Sequence, residues 1–282
     1  MAVRHAGTSH VARRTSHVPF VVPSRIANRR VLLPLVFWVA VLLAGVAIYV
    51  ASDRLQDAST EPDSLAGLPA GAKYLAGYGP NRYSQFAEEW IIRDFFQDRR
   101  GGVFVDVGAN HYKNDSTTFY LEEKLGWSGL AVEPLEQFAA EYTQFRPKTT
   151  FLPFFVSDVS DARAKLYVLD QHSVVSSSDR KFTERTAGNA REMDVPTITM
   201  NDLLTRNRIE KFDFLSMDIE LSEPKALSGF DIKRFQPQLV CIEAHSEVRQ
   251  WILDYFARSG YVIVGKYLPA DEHNLYFMPL KP

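Results

Sequence analysis

The stretch Phe104–Pro134, FVDVGANHYKNDSTTFYLEEKLGWSGLAVEP, decides the fold. FVDV is a short apolar strand. DSTTFYLEEKLG has helical spacing and stops at Gly126, and SGLAVEP is a second strand closed by Pro134. A strand, a loop, a helix and a second strand build a parallel sheet covered by helices. In open sheets of this kind, ligands sit beyond the carboxyl ends of the strands. Asp106, Gly108 and Asn110 lie at the end of the first strand, and Glu133 at the end of the second. They are the candidate ligand residues.

The loop does not complete the fingerprint G-x-G-x-x-G, because His111, Tyr112 and Lys113 follow Asn110. The later glycines of that fingerprint let backbone approach a pyrophosphate, so their absence argues against NAD or FAD. An ionised carboxylate at Glu133 can accept two hydrogen bonds from a ribose diol, and it repels phosphate. Asp106 adds negative charge that suits a cation. S-adenosylmethionine fits these demands: a nucleoside with a diol, a sulfonium cation and no phosphate. The competing reading makes Asp106 and Glu133 plain turn carboxylates, but two of them on adjacent strand ends favour a ligand site.

Working outward, strands and helices keep alternating. SQFAEEWIIRDFFQ puts Phe86, Trp90, Ile91 and Phe95 on one helical stripe, with Ser84 able to cap it. EQFAAEYTQF reads as a helix and TTFLPFFVSD as a third strand. Residues from about Ala162 to Met200 read as an excursion with two strand-like runs, AKLYVL and VPTITM. KFDFLSMDIE and QLVCIEAH are strands, with a helix from about Glu223 to Leu227 between them. EVRQWILDYFARSG is a helix, and YVIVGKYL and HNLYFMPL form an antiparallel closing pair.

A second acidic cluster follows from this layout. Asp218 and Glu220 end one strand, and Glu243 and His245 end the next. Residues two apart on a strand share a face, so four ionisable groups converge. Three readings stay open: His245 as a general base; Asp218, Glu243 and His245 as ligands of a divalent metal; or Asp218 as a helix cap with His245 in a turn. His111 is a candidate lining residue beside the loop. His172 precedes the polar run SVVSSS, either a lid over an acceptor or a plain surface loop.

The chain has 282 residues and a formal net charge of −2, so composition implies no strong attraction to nucleic acid. Its one cysteine, Cys241, lies in an apolar run, which excludes a disulfide framework and suits a buried side chain. Residues 1–30 form a basic N-terminal tail without Asp or Glu. The run Val31–Ala51 carries no charge and is long enough for a transmembrane helix. A cleaved signal peptide, a buried core helix and a transit peptide are the alternatives. Arg29 and Arg30 before the run predict a cytoplasmic N-terminus and a single-pass anchor. Residues 52–82 read as a linker, and 83–282 as the main domain.

The order of Ser84-Gln85, FVDVGAN, LEEKLGWSGLAVEP, VSD, DFLSMDIE and VCIEAH resembles the FkbM-type methyltransferase family over about residues 83–265. The resemblance implies a class I, Rossmann-like methyltransferase fold: seven strands, the last antiparallel, with helices on both faces. It implies S-adenosylmethionine and methyl transfer, usually to a hydroxyl oxygen of a glycan, lipid-linked or small acceptor. Residue by residue, Gln85, Asp106, Gly108 and Asn110 match the cofactor side, and Glu133 the ribose-binding acid. Asp158 matches the position near the adenine, and Asp218 and Glu220 the family's D-x-E motif. Two departures stand out: Leu221 follows that motif where glycine is common, and Tyr112 stands where a glycine often follows GAN. Star-like single-pass membrane proteins with this domain act in the trafficking or signalling of cargo. That non-catalytic role is the alternative, and a domain placed across the membrane from the cytoplasmic cofactor pool would suit it.

Overall fold

The computed structural model describes residues 68–81, 83–169, 176–187 and 190–280. The basic tail, the apolar run Val31–Ala51 and His172 lie outside the described residues. Among the described residues, no helix is long and apolar enough to cross a membrane.

The central sheet contains β1 (Val103–Val107), β2 (Ser128–Val132), β3 (Thr149–Leu152), β7 (Phe214–Met217), β8 (Leu239–Glu243), β9 (Tyr261–Ile263) and β10 (Asn274–Pro279). Their order is β3-β2-β1-β7-β8-β10-β9. The first five are parallel, and β10 runs antiparallel between β8 and β9. The expected seven strands and antiparallel closing pair are therefore present. Strand order reverses at β1, whose neighbours are β2 and β7. The loops after β1 and β7 diverge there and open a crevice.

The apolar runs are nearly continuous because both sheet faces are covered. Val105, Val107, Leu215, Met217, Val240 and Ile242 face one layer. It holds α5 (Met200–Arg206), α6 (Glu223–Ser228), α7 (Ile232–Phe235) and α8 (Arg249–Arg258). Phe104, Phe214, Leu239 and Cys241 face the other, with Trp90, Ile91 and Ile92 of α1 (Glu88–Phe96). The period of two along each strand sorts these side chains. Cys241 is buried, as its apolar run predicts. The helix begins at Glu88 with Ala87 at its N-cap, so Ser84 is not the cap residue, although its Oγ accepts a hydrogen bond from the Glu89 amide at 3.0 Å.

Three shorter elements complete the site's surroundings. Helix α2 (Phe119–Glu123) follows the first loop, and α3 (Ala139–Phe145) follows β2. The excursion supplies β5 (Arg163–Val168) and β6 (Arg191–Ile198), with α4 (Arg180–Ala187) between them, to a second sheet whose third strand is β4 (Phe155–Val156), so the run TTFLPFFVSD read as one strand is divided between two sheets. β5 and β6 are the two predicted strand-like runs, paired antiparallel.

One expectation needs adjustment. Ala70–Tyr78, inside the stretch read as linker, forms a 3-10 helix. Its Ala72 and Leu75 are buried in the same cluster as Trp90 and Ile91. Folded structure therefore begins before Tyr83. Small apolar residues among glycines resemble a linker in composition, yet two of them suffice to dock one short face.

Candidate active site

The first loop is built from backbone. Gly108 has φ +84° and Asn110 φ +44°, so the chain turns sharply at both. A Cβ on Gly108 would overlap the Asp218 carbonyl oxygen, so only glycine lets this loop lie against the end of β7. The amides of Gly108 and Ala109 donate to the Val132 carbonyl at 2.9 and 3.3 Å, joining the ends of β1 and β2. Tyr112 has no positive φ and lines neither cavity described below. It is buried and stacks on Phe145 with ring centroids 4.8 Å apart. The absent glycine is thus a core aromatic, and Gly108 and Asn110 carry the turn without it.

Glu133 is 6% exposed. Its Oε2 accepts from the Asn110 amide at 3.3 Å and its Oε1 from the Leu135 amide at 2.9 Å. Burial pushes its pKa up to about 7, against the pull of those two amides. A carboxylate has about four acceptor positions, so two stay open for a diol. Around it, Val132, Pro134, Phe154, Phe155 and Leu166 supply apolar walls to a small cavity of about 40 Å3. These residues fit S-adenosylmethionine: apolar walls for the base and a carboxylate for the ribose.

Asp106 does not face the cavity as an open charge. It is buried, its Oδ2 accepts from Thr118 Oγ1 at 2.7 Å, and burial raises its pKa to about 6. Thr118 and the nearby Arg146 offset part of that rise. Arg146 is itself buried. It donates to Glu122 Oε2 at 2.6 Å, to the Tyr112 carbonyl at 2.9 Å and to Thr118 at 3.3 Å. The cation beneath the loop therefore belongs to the protein. Sequence reading missed Arg146, because an arginine before a proline at a helix end looks solvated. Its partner Glu122 is far away in the chain.

A second cavity of about 290 Å3 adjoins the first and shares Gly108, Asn110, Asp218 and Glu220 with it. Gln85, Asp106, Glu243 and His273 also line it. His273 stacks on Phe86 at 4.1 Å, a wall that no sequence pattern signalled. Asp218 is exposed and lines both cavities. Loss of water around its carboxyl, then Glu243 and Glu220, pushes its pKa up.

His245 Nε2 lies 3.0 Å from Glu220 Oε2 and 3.0 Å from Glu243 Oε2. Glu220, then Glu243, pushes its pKa up to about 10. Both carboxylates thus engage Nε2, the nitrogen that a general base would use, and both favour its protonated form. Glu220 has φ +51° and Leu221 φ +72°, both in the left-handed region that glycine favours. Leu221 thus holds a backbone conformation that glycine adopts without strain. Ser177 Oγ donates to the Glu220 carbonyl at 2.5 Å, and the Phe182 ring meets His245 edge-on at 5.0 Å. The excursion therefore packs over this turn.

Two sequence candidates lie elsewhere. Asp158 is exposed, accepts from Ser157 Oγ at 3.0 Å and lines neither cavity. Phe154 and Phe155 form the wall on that side instead. His111 Nδ1 accepts from the Lys113 and Asn114 amides at 3.1 and 3.0 Å, so it closes a turn rather than lining the pocket.

A switch-point crevice, a glycine-tight first loop and an acid at the end of the second strand are what a class I, Rossmann-like methyltransferase is expected to have. The FkbM methyltransferase domain model matches residues 106–263, more than half of the chain. The chain belongs to this family of S-adenosylmethionine-dependent methyltransferases. Among solved structures it is similar to a TehB-like S-adenosylmethionine-dependent methyltransferase from Corynebacterium glutamicum, with 14% identity and a TM-score of 0.40 over 73% of this chain and 93% of that one. It is also similar to a precorrin-6y C5,15-methyltransferase from Geobacter metallireducens, with 9% identity and a TM-score of 0.37 over 67% and 85%. No curated protein matches it.

Proposed function

We propose that the chain methylates a hydroxyl oxygen of a glycan, a lipid-linked sugar or another small polyhydroxylated acceptor. The observation that carries this reading is the acidic cavity beside the cofactor loop, with Asp218, Glu220 and Glu243 in its wall. Such a wall repels phosphate and nucleic acid and accepts hydrogen bonds from hydroxyls. Gln85, Gly108, Asn110 and Glu133 hold the cofactor, and Glu133 takes the ribose diol. When bound, S-adenosylmethionine supplies an electrophilic methyl group. The acceptor oxygen loses its proton as it gains the methyl. Asp218 lines both cavities, so it stands where that proton can be taken. His245 stays as counter-charge to Glu220 and Glu243.

The purified full-length chain, S-adenosylmethionine carrying a labelled methyl, and a panel of monosaccharides, glycolipids and RNA test this. Label on a sugar oxygen supports the reading. Label on RNA alone, or calorimetry without binding of cofactor or its demethylated product, overturns it. A Star-like non-catalytic role is a second reading, and Leu221 in place of the motif's glycine is the observation that favours it. The run Val31–Ala51, with Arg29 and Arg30 before it, supports a single-pass membrane anchor with a cytoplasmic N-terminus. Protease protection in sealed vesicles tests that topology.

A further inference from the structure

Glu220, Glu243 and His245 each offer one ligand atom, and the three atoms lie within 4.8 Å of one another. His245 Nε2 is equidistant, at 3.0 Å, from the two carboxylate oxygens. Adjacent ligands of an octahedral ion bonded at about 2.1 Å are about 3.0 Å apart. Hydrogen bonding alone leaves the cluster incomplete. One Nε2–H can point at one oxygen, and it serves Glu220 Oε2. Glu243 Oε2, buried at the same distance, pairs with that nitrogen but does not receive the hydrogen already directed at Glu220. Behind them Glu223 is fully buried, and its Oε2 also lacks a partner. Among the described residues, no Lys or Arg forms an ion pair with Asp218, Glu220, Glu223 or Glu243.

We propose that Glu220, Glu243 and His245 bind one divalent metal ion in the wall of the acceptor cavity. The ion would bond all three atoms at once, which a single proton does not. On binding, the ion would displace the Nε2 proton of His245 to solvent and bring a larger positive charge to the same two carboxylates. Two carboxylates and one imidazole suit Mn2+, Fe2+ or Zn2+ better than Ca2+. Three protein ligands leave positions open, as in catalytic sites, and Glu220 and Glu243 line the cavity where an acceptor hydroxyl would complete the shell. A metal-bound hydroxyl releases its proton more readily. Phe182 against the imidazole and Ser177 on the Glu220 carbonyl hold the ligands in place. The set differs from the sequence expectation, in which Asp218 was the third ligand. The role assigned to the ion rests on the methyltransferase reading, whereas binding itself does not.

Mn2+ titrated into the chelator-treated full-length chain, followed by calorimetry and by the resonance of free Mn2+, tests the site. One equivalent should bind, and Glu243→Gln and Glu220→Gln should each weaken binding by more than about tenfold. Glu133→Gln, outside the cluster, should leave it unchanged, and urea melts identify any variant that fails to fold. No binding of Mn2+ or Zn2+ to the folded wild type, or binding indifferent to both cluster substitutions, overturns the proposal. S-adenosylmethionine binding measured on the same samples separates the two readings. Cofactor binding without metal sinks only the metal site, and metal binding without cofactor sinks only the methyltransferase reading.

Discussion

Gly108 lies so close to Asp218 that any Cβ at 108 would overlap the Asp218 carbonyl oxygen. This contact welds the cofactor loop to the end of β7 and makes one crevice of the two strand ends. Gly108→Ala must break it and also place alanine at φ +84°. The substitution should cost about 2–4 kcal/mol and abolish cofactor binding. Urea melts and calorimetry check both effects. A stable variant that binds normally would mean the loop moves freely.

Glu133 and Asp158 separate what lines the pocket from what resembles a family position. Glu133→Gln puts an amide donor against the Asn110 or Leu135 N–H. Affinity for S-adenosylmethionine should fall by about tenfold or more. Asp158→Ala should change it less than about twofold, because Asp158 is exposed and outside both cavities. Equal effects of the two in calorimetry would contradict this placement.

Burial raises Glu133 and Glu88 from the ordinary 4.5 to about 7, and Asp106 from 3.8 to about 6. The folded state holds these protons more tightly than the unfolded chain. Their contribution to stability is therefore complete below about pH 4, and is lost as pH rises through 6 to 7. The ligand-free protein should unfold at a higher urea concentration at about pH 5.5 than at pH 8. Cofactor affinity should run the other way, since a protonated Glu133 accepts fewer hydrogen bonds. Parallel pH trends in stability and affinity would argue against Glu133 as the ribose contact.

Arg146 ties Glu122, Tyr112 and Thr118 together beneath the loop, and Thr118 holds Asp106. Arg146→Met leaves the Glu122 carboxylate buried without its cation. The expected loss is about 3–5 kcal/mol. Adding Glu122→Gln should recover part of it, which a double-mutant cycle in urea would show. Strict additivity would mean that the two residues do not act as a pair.

Leu221 at φ +72° forgoes the relief that glycine would bring. Leu221→Gly should therefore change stability by less than about 1 kcal/mol, as relief of strain offsets lost packing. Leu227→Gly, at a position 1% exposed in α6, should cost more than about 3 kcal/mol. Similar losses in thermal melts would show that Leu221 is held by packing rather than strained.

Much of this was legible before any coordinates. FVDV, SGLAV and DFLSM are runs that only a doubly covered parallel strand explains, and HNLYFMPL follows YVIVGKYL too closely for a helical crossover. Glu133 was legible because its position at a strand end is local information. Arg146 was not, since its meaning lies in Glu122, Tyr112 and Thr118, which are near in space and distant or unremarkable in sequence. Asp158 erred in the other direction: its motif places it beside the pocket, and one turn of backbone after β4 carries it out to solvent.

The chain's own residues determined the βαβ alternation, the turn at Gly108 and the presence of an acid, Glu133, at the second strand end instead of a glycine-rich phosphate loop. These follow from periodicity, from φ and from the sign of a charge, which are properties of short segments. Tertiary structure decided the rest. It made Tyr112 a core ring, buried Asp106 beneath Thr118, and set His245 between Glu220 and Glu243. Those outcomes depend on burial and on the neighbours that parallel strand ends bring together, and no single segment contains them.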